Sequence, residues 1–220
     1  MPLRAAAWCL STTALAACAP APAPAHAQAP AAAPADTARP LAEFASRPLA
    51  LVPVQLLGSG DSLGFAAQVN NAGAFLASID DEIAFALSQR RTARQWQMPP
   101  VLARRMRSNG PYGVDVHDMG AGPLRDPKLK GDLPLPDPLA SNLRSLVALG
   151  GEARYVLIPV EVTFAGAKGA GRAVLKLVLV DARSARLVWV GVVATDPVAR
   201  VTPAIPAMLG ARVADLVTAP

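Results

Sequence analysis

The sequence predicts an α/β fold: one domain with a mixed, partly antiparallel sheet covered by amphipathic helices. Three observations carry that expectation. The runs 172–181 and 186–195 are rich in valine and leucine and joined by only four residues, so they must form antiparallel neighbours. A third apolar run, 153–164, precedes them across the glycine-rich 166–171 segment. Leucine and isoleucine stripes at helical spacing lie before and after these runs, and such stripes need a sheet face to cover.

In chain order, Arg4 precedes an apolar stretch, Ala5 to Ala17, that is too short to span a bilayer as a permanent helix and has the length of a signal peptide. It closes on Leu15-Ala16-Ala17-Cys18, which resembles the lipobox of bacterial lipoproteins. The resemblance implies cleavage before Cys18 and lipid on its thiol and new amino group. Residues 1–17 are then the lipoprotein signal peptide and Cys18 the lipidation site, anchoring the chain in a membrane. Ala19 stands where aspartate is absent, which in that family implies outer-membrane sorting, with the body on the periplasmic face. The competing possibility is ordinary secretory cleavage after Ala25-His26-Ala27, giving a soluble periplasmic or secreted protein. In both cases Cys9 leaves with the leader, so no intrachain disulfide can stabilise the body.

Residues 18–45 are expected to form an Ala/Pro-rich tether. Pro20, Pro22 and Pro24 remove amide donors at alternate positions and disfavour helix before each ring. The body is expected to span 46–220. It opens with a strand in 47–58, interrupted in character by Pro53. A helix follows with Phe75, Leu76, Ile79, Ile83 and Leu87 on one stripe, acids Asp80 to Glu82 nearer its start and Arg90-Arg91 at its end. A shorter helix runs through 99–110, entered by two prolines and left at Asn109-Gly110.

The segment 111–136 has no sustained period; it is expected to hold one short strand at 112–116 or to be a working surface. Asp137 then caps a helix with Pro138 at its first position and Leu139, Leu143, Leu146 and Val147 facing inward. In 153–164, Val156, Ile158, Val160, Val162 and Phe164 are expected on one sheet face, with Glu161 opposite and within reach of Lys176. A final helix covers 204–217.

"LALVPVQ", a helix feeding into "ARYVLIPVEV", and a hairpin reading Val180-Asp181-Ala182-Arg183-Ser184-Ala185-Arg186-Leu187-Val188-Trp189 resemble one group of envelope proteins. These are the curli-secretion lipoprotein, the lipoprotein activators of penicillin-binding proteins and the amino-terminal domain of TolB. The likeness covers 47–57 and 137–217, with Ser184-Ala185 in place of an expected Thr-Gly.

Catalytic chemistry finds little material. His117 is the body's only histidine, and no cysteine follows Cys18. "DVHD" (115–118) offers Asp115, His117 and Asp118, too few ligands for a closed metal site. "GSGDSLG" and "GAKGAG" lack phosphate-loop spacing, and no serine sits in a nucleophile elbow. The expectation is therefore no cofactor, no metal and no enzymatic activity.

The candidate interaction surface is the acid-free stretch holding Arg90, Arg91, Arg94, Trp96, Arg104, Arg105 and Arg107. Its expected partner is an envelope protein or an anionic envelope polymer rather than nucleic acid. A lipid-anchored protein that docks onto an envelope component is the leading functional expectation. An oligomeric secretion or assembly subunit is one alternative, and an envelope hydrolase using Asp115 and His117 is the other.

Overall fold

A computed structural model describes residues 39–218 apart from Gly60, Ser62 and Lys168, so Cys18 and most of the predicted tether lie outside the described residues. The sheet has six strands. Five run side by side in the order β3 (Trp96–Gln97), β1 (Leu49–Leu51), β4 (Tyr155–Ala167), β5 (Ala170–Asp181), β6 (Arg186–Ala194). The sixth, β2 (Leu56–Leu57), continues the line of β1 along β4. β3, β1 and β4 are parallel and start level, Leu49 facing both Trp96 and Tyr155. β5 and β6 add antiparallel hairpins. The sheet is thus mixed, as the sequence predicts.

Helices cover both faces, giving three layers. α1 (Ala72–Gln89) and α4 (Ala204–Asp215) bury Ile79, Ile83, Leu87, Leu209 and Val213 against Leu49, Leu51, Leu157 and the odd-numbered leucines of β5. α2 (Pro99–Ser108) and α3 (Leu139–Gly150) bury Leu102, Met106, Leu139, Leu143 and Leu146 against Ala50, Val52, Val156, Ile158 and Val178. Each such side chain removed from water stabilises the fold by about 1.5–3 kcal/mol. α1 is capped by Asn71, whose side-chain oxygen accepts from the Ala74 amide at 2.9 Å.

Several expectations need correction. The strand expected over 47–58 is split, because Pro53 has no amide to give the ladder. The freed Val54 amide donates instead to the Asp80 carboxylate at 2.8 Å, so Asp80 is a buried partner of the sheet rather than a solvated helix-start acid. Leu41 and Phe44, assigned above to the tether, are core residues, so the body begins before residue 46. β3 is a strand the sequence does not announce, being two residues long. α3 starts at Leu139, with Pro138 preceding it; the Asp137 carboxylate still accepts from the Ser141 amide at 3.2 Å.

The inward face of β4 also switches. Pro159 pairs with Leu177 and Glu161 with Lys176, which leaves Val160 as an extra residue. This bulge turns the pleat over, so Val156, Ile158 and Val160 face α2 and α3 while Val162 and Phe164 face α1.

No strand forms at 112–116. The segment 111–136 instead lines the α2–α3 layer, burying Val116, Met119, Ala121, Leu124 and Leu135 where neither α2 nor α3 covers the sheet. Gln55, buried at the end of the first apolar run, fastens it. Its Nε2 donates to Pro53 O and Val116 O at 2.8 and 2.9 Å, and its Oε1 accepts from the Met119 amide at 2.9 Å. A loop rich in glycine and proline is therefore held as part of the core wall.

Candidate interaction surface

The arginine stretch runs from the end of α1, through β3, to the end of α2. At its centre Trp96 is buried, and its indole N–H donates to Phe44 O at 2.9 Å. The ring is thus a core side chain that ties the segment entering the domain to the edge strand; it is not an exposed anchor. The Phe44 ring stands edge-on to Tyr155, 5.0 Å between centroids, which fixes the same corner.

The six arginines do not form one group. Arg90 pairs with Asp215 at 2.7 Å and donates to Thr218 O at 3.1 Å, joining the ends of α1 and α4. Arg105 reaches across to the last turn of α3 and donates to Gly150 O, satisfying a carbonyl that the helix leaves free. Gly151 makes room for it. A Cβ there would stand 2.6 Å from Arg105 Nη1, and the backbone holds φ at +116°, where a side chain is strained.

The remaining four, Arg91, Arg94, Arg104 and Arg107, are exposed, and among the described residues none has a carboxylate within ion-pair distance. Arg104 and Arg107 are three residues apart on the outer side of α2, whose inner side carries Leu102, Ala103 and Met106. Arg91 and Arg94 project from the α1–β3 turn. An arginine whose fork is not already filled can take a carboxylate, phosphate or sulfate oxygen pair.

The DVHD cluster is an exposed turn. The Asp115 carboxylate accepts from the His117 amide at 2.9 Å, a local turn bond. Both residues border a 390 Å³ cleft with Met106, Arg107 and Gly113. No group of three or more His, Cys, Asp or Glu side chains placed to share a metal ion occurs among the described residues.

Glu161 and Lys176 are register neighbours, as the sequence suggests, yet each bonds elsewhere. Glu161 Oε1 takes Arg125 Nη2 at 2.6 Å, and Lys176 Nζ donates to Asp126 O at 2.6 Å. Burial lowers the Lys176 pKa, opposed by the charges of Asp126 and Glu161. The pair thus fastens the 125–126 corner to the sheet. Trp189 is half-buried against the α1–α4 layer. Ala185, standing where a glycine was expected, takes the left-handed backbone at φ +51°. The Asp181 carboxylate accepts from the Arg183 amide at 3.1 Å within the same turn.

Two arginines that sequence spacing does not connect to this surface come close to it through the fold. Arg144 on α3 and Arg183 in the β5–β6 turn border a 310 Å³ cleft with Val147 and Gly151. Gly151 also borders the 450 Å³ cleft that holds Arg105, Gln95 and Glu152.

No family model matches the chain, and no curated protein matches it. Among solved structures it is similar to the C-terminal domain of LpoB from Salmonella enterica, at 16% identity and a TM-score of 0.37 over 72% of this chain and 94% of that one. It is also similar to PelC from Paraburkholderia phytofirmans, solved as a dodecamer in two crystal forms. One form gives 11% identity and a TM-score of 0.34 over 77% of this chain and 88% of that one. The other gives 12% and 0.33 over 77% and 86%. At these identities and scores, no function carries across.

Proposed function

We propose that the chain is a lipid-anchored protein of the bacterial envelope that acts by binding another envelope component and catalyses no reaction. The observation that carries this is the position of Cys18, at the end of the apolar leader within Leu15-Ala16-Ala17-Cys18. Acylation there gives the chain a membrane attachment, and several acyl chains hold firmly where one holds only reversibly. The body offers it a binding surface: Arg104 and Arg107 point outward with their guanidinium groups uncommitted, on a helix held by the buried Leu102 and Met106. The residues that could have suggested hydrolysis, Asp115 and His117, are exposed, and the Asp115 carboxylate accepts from the His117 backbone amide of its own turn.

The test is fractionation of cells expressing the parent and Cys18→Ser, with mass spectrometry of the mature amino terminus. The parent is expected in the membrane fraction with an acylated Cys18, and the serine variant in the soluble fraction. Recovery of the parent from the cytosol with its thiol unmodified would overturn the proposal. Photocrosslinking from the exposed positions Val101 and Ser108 of the same helix then identifies the partner, and Arg104→Glu with Arg107→Glu is expected to abolish the adduct.

A further inference from the structure

Arginine without a carboxylate partner collects at one end of the sheet. At the level where β1, β3 and β4 begin, Arg91, Arg94, Arg105, Arg144 and Arg183 gather, all exposed and, among the described residues, without an ion-pair partner. Glu152 is the acid among them left without a cation. The other acids at this level are neutralised, Asp181 by Arg154 at 2.5 Å, Asp215 by Arg90 at 2.7 Å, Asp132 by Arg186 at 2.8 Å and Glu43 by Arg47 at 3.1 Å. Farther along the same strands, Asp80 is buried beside Val54 and Glu161, midway along β4, is paired with Arg125, while Arg172 and Arg200 are exposed at the far end.

The chain enters the domain at the basic end. The Leu41 amide donates to Leu216 O at 3.1 Å, and Phe44 receives the Trp96 indole and packs on Tyr155 at the start of β4. Cys18 lies 21 residues before Arg39, the first described residue. At about 3.5 Å per residue, that length holds this end within roughly 75 Å of whatever surface carries the cysteine.

We propose that the arginine-rich end formed by Arg91, Arg94, Arg144 and Arg183 docks on the anionic phospholipid headgroups of the bilayer in which Cys18 is anchored. This rests on the anchoring argued above and adds an orientation to it. The arginine-rich end lies on the membrane and the turn joining β4 to β5 faces away. Charge complementarity favours it, since phosphate oxygens match unfilled guanidinium forks. Attachment through Cys18 supplies the high local concentration that turns weak headgroup contacts into occupancy. An acyl anchor joined to a polybasic surface is a physically sufficient pair of membrane signals.

The experiment uses the full chain carrying Cys18→Ser, so that no lipid contributes. Co-sedimentation is measured with phosphatidylcholine vesicles and with the same vesicles containing phosphatidylglycerol. The readout is the gain caused by phosphatidylglycerol, from which any partition of the leader into both cancels. A clear gain is expected, lost near 1 M salt where charges are screened beyond about 3 Å. Arg94→Glu with Arg183→Glu is expected to weaken it about tenfold or more. Arg172→Glu with Arg200→Glu, exposed residues at the other end, changes net charge equally and is expected to retain it.

Equal loss in both double variants would mean that net charge alone acts and would overturn the proposal, as would the absence of any gain. Binding to soluble dextran sulfate through Arg94 and Arg183 without binding to vesicles would assign the surface to a polymer and refute the membrane orientation. Because Cys18 is already replaced, the two failures are distinguishable: no gain here leaves the lipidation result unaffected, and an unmodified Cys18 removes the anchor while leaving the headgroup binding measured here unchanged.

Discussion

Asp80 gives the domain a built-in dependence on pH. Burial raises its pKa from the ordinary 3.8 to about 7, opposed by the Val54 amide and assisted by the charge of neighbouring Asp81. A carboxyl whose pKa is raised by folding binds its proton more tightly in the native state than in the unfolded chain. Its contribution to stability is therefore complete below about pH 3.8, declines as pH rises toward 7, and is gone above it. A shift of about three units at 1.36 kcal/mol each makes the full decline about 4 kcal/mol. Against a typical stability of about 5–15 kcal/mol, that is a large fraction.

The perturbation is Asp80→Asn, which keeps an oxygen for the Val54 amide and removes the charge. Urea unfolding from pH 4 to pH 8 is the assay, with the slope m as a check that the unfolded state is unchanged. Near pH 4 the variant and parent are expected to have similar stability. At pH 8 the variant is expected to be more stable by about 2–4 kcal/mol, most of the ionisation cost being removed. Asp80→Ala separates the two roles, since at pH 4 it leaves Val54 N–H without a partner and is expected to cost about 1–3 kcal/mol. Parallel stability curves for parent and Asp80→Asn across this range would refute the reasoning.

Other expectations follow from the same packing. Gln55→Leu adds apolar bulk yet is expected to destabilise by about 2–4 kcal/mol, because it orphans the Met119 amide and the Val116 carbonyl; hydrogen exchange should rise first around 116–121. Gly210→Ala would place a Cβ 2.6 Å from Glu82 O and 3.0 Å from Ile83 N, forcing α1 and α4 apart. A loss of about 1–3 kcal/mol is expected in thermal or urea unfolding. Trp96→Phe keeps a buried ring but loses the bond to Phe44 O, and should lower stability by about 1 kcal/mol and loosen residues 41–44 to proteolysis.

The parts of the fold that the sequence predicts are those where periodicity is long enough to speak. Ile79, Ile83 and Leu87 mark α1 because each buried side chain recurs on one side of 18 residues. β5 and β6 are legible because only four residues separate them. Events of one residue escape the same method. The bulge at Val160 leaves the alternation of "YVLIPVEVTF" unbroken on paper while turning Val162 and Phe164 to the other layer. The pairing partner of Glu161 is likewise invisible, because Arg125 comes from the aperiodic loop. Gln55 fails to register for the opposite reason: one amide in an apolar run reads as noise, although it bonds a segment more than sixty positions away.

The surface was partly legible, and the division has a physical cause. Linear density of arginine identifies charge but says nothing of which guanidinium groups the fold consumes. Helix ends leave carbonyls free, and an arginine near two such ends is drawn to them. Arg90 and Arg105 are each used this way, at the ends of α4 and α3. Arg144 and Arg183 go the other way: isolated in sequence, they join the exposed set because parallel strands starting level bring the α3 exit and the β5–β6 turn to one end of the sheet. Counting arginines in a stretch therefore overstates the docking charge locally and understates it globally. Reversing Arg105 would test a helix end as much as a surface, so Arg94 and Arg183 are the residues whose substitution isolates docking from folding.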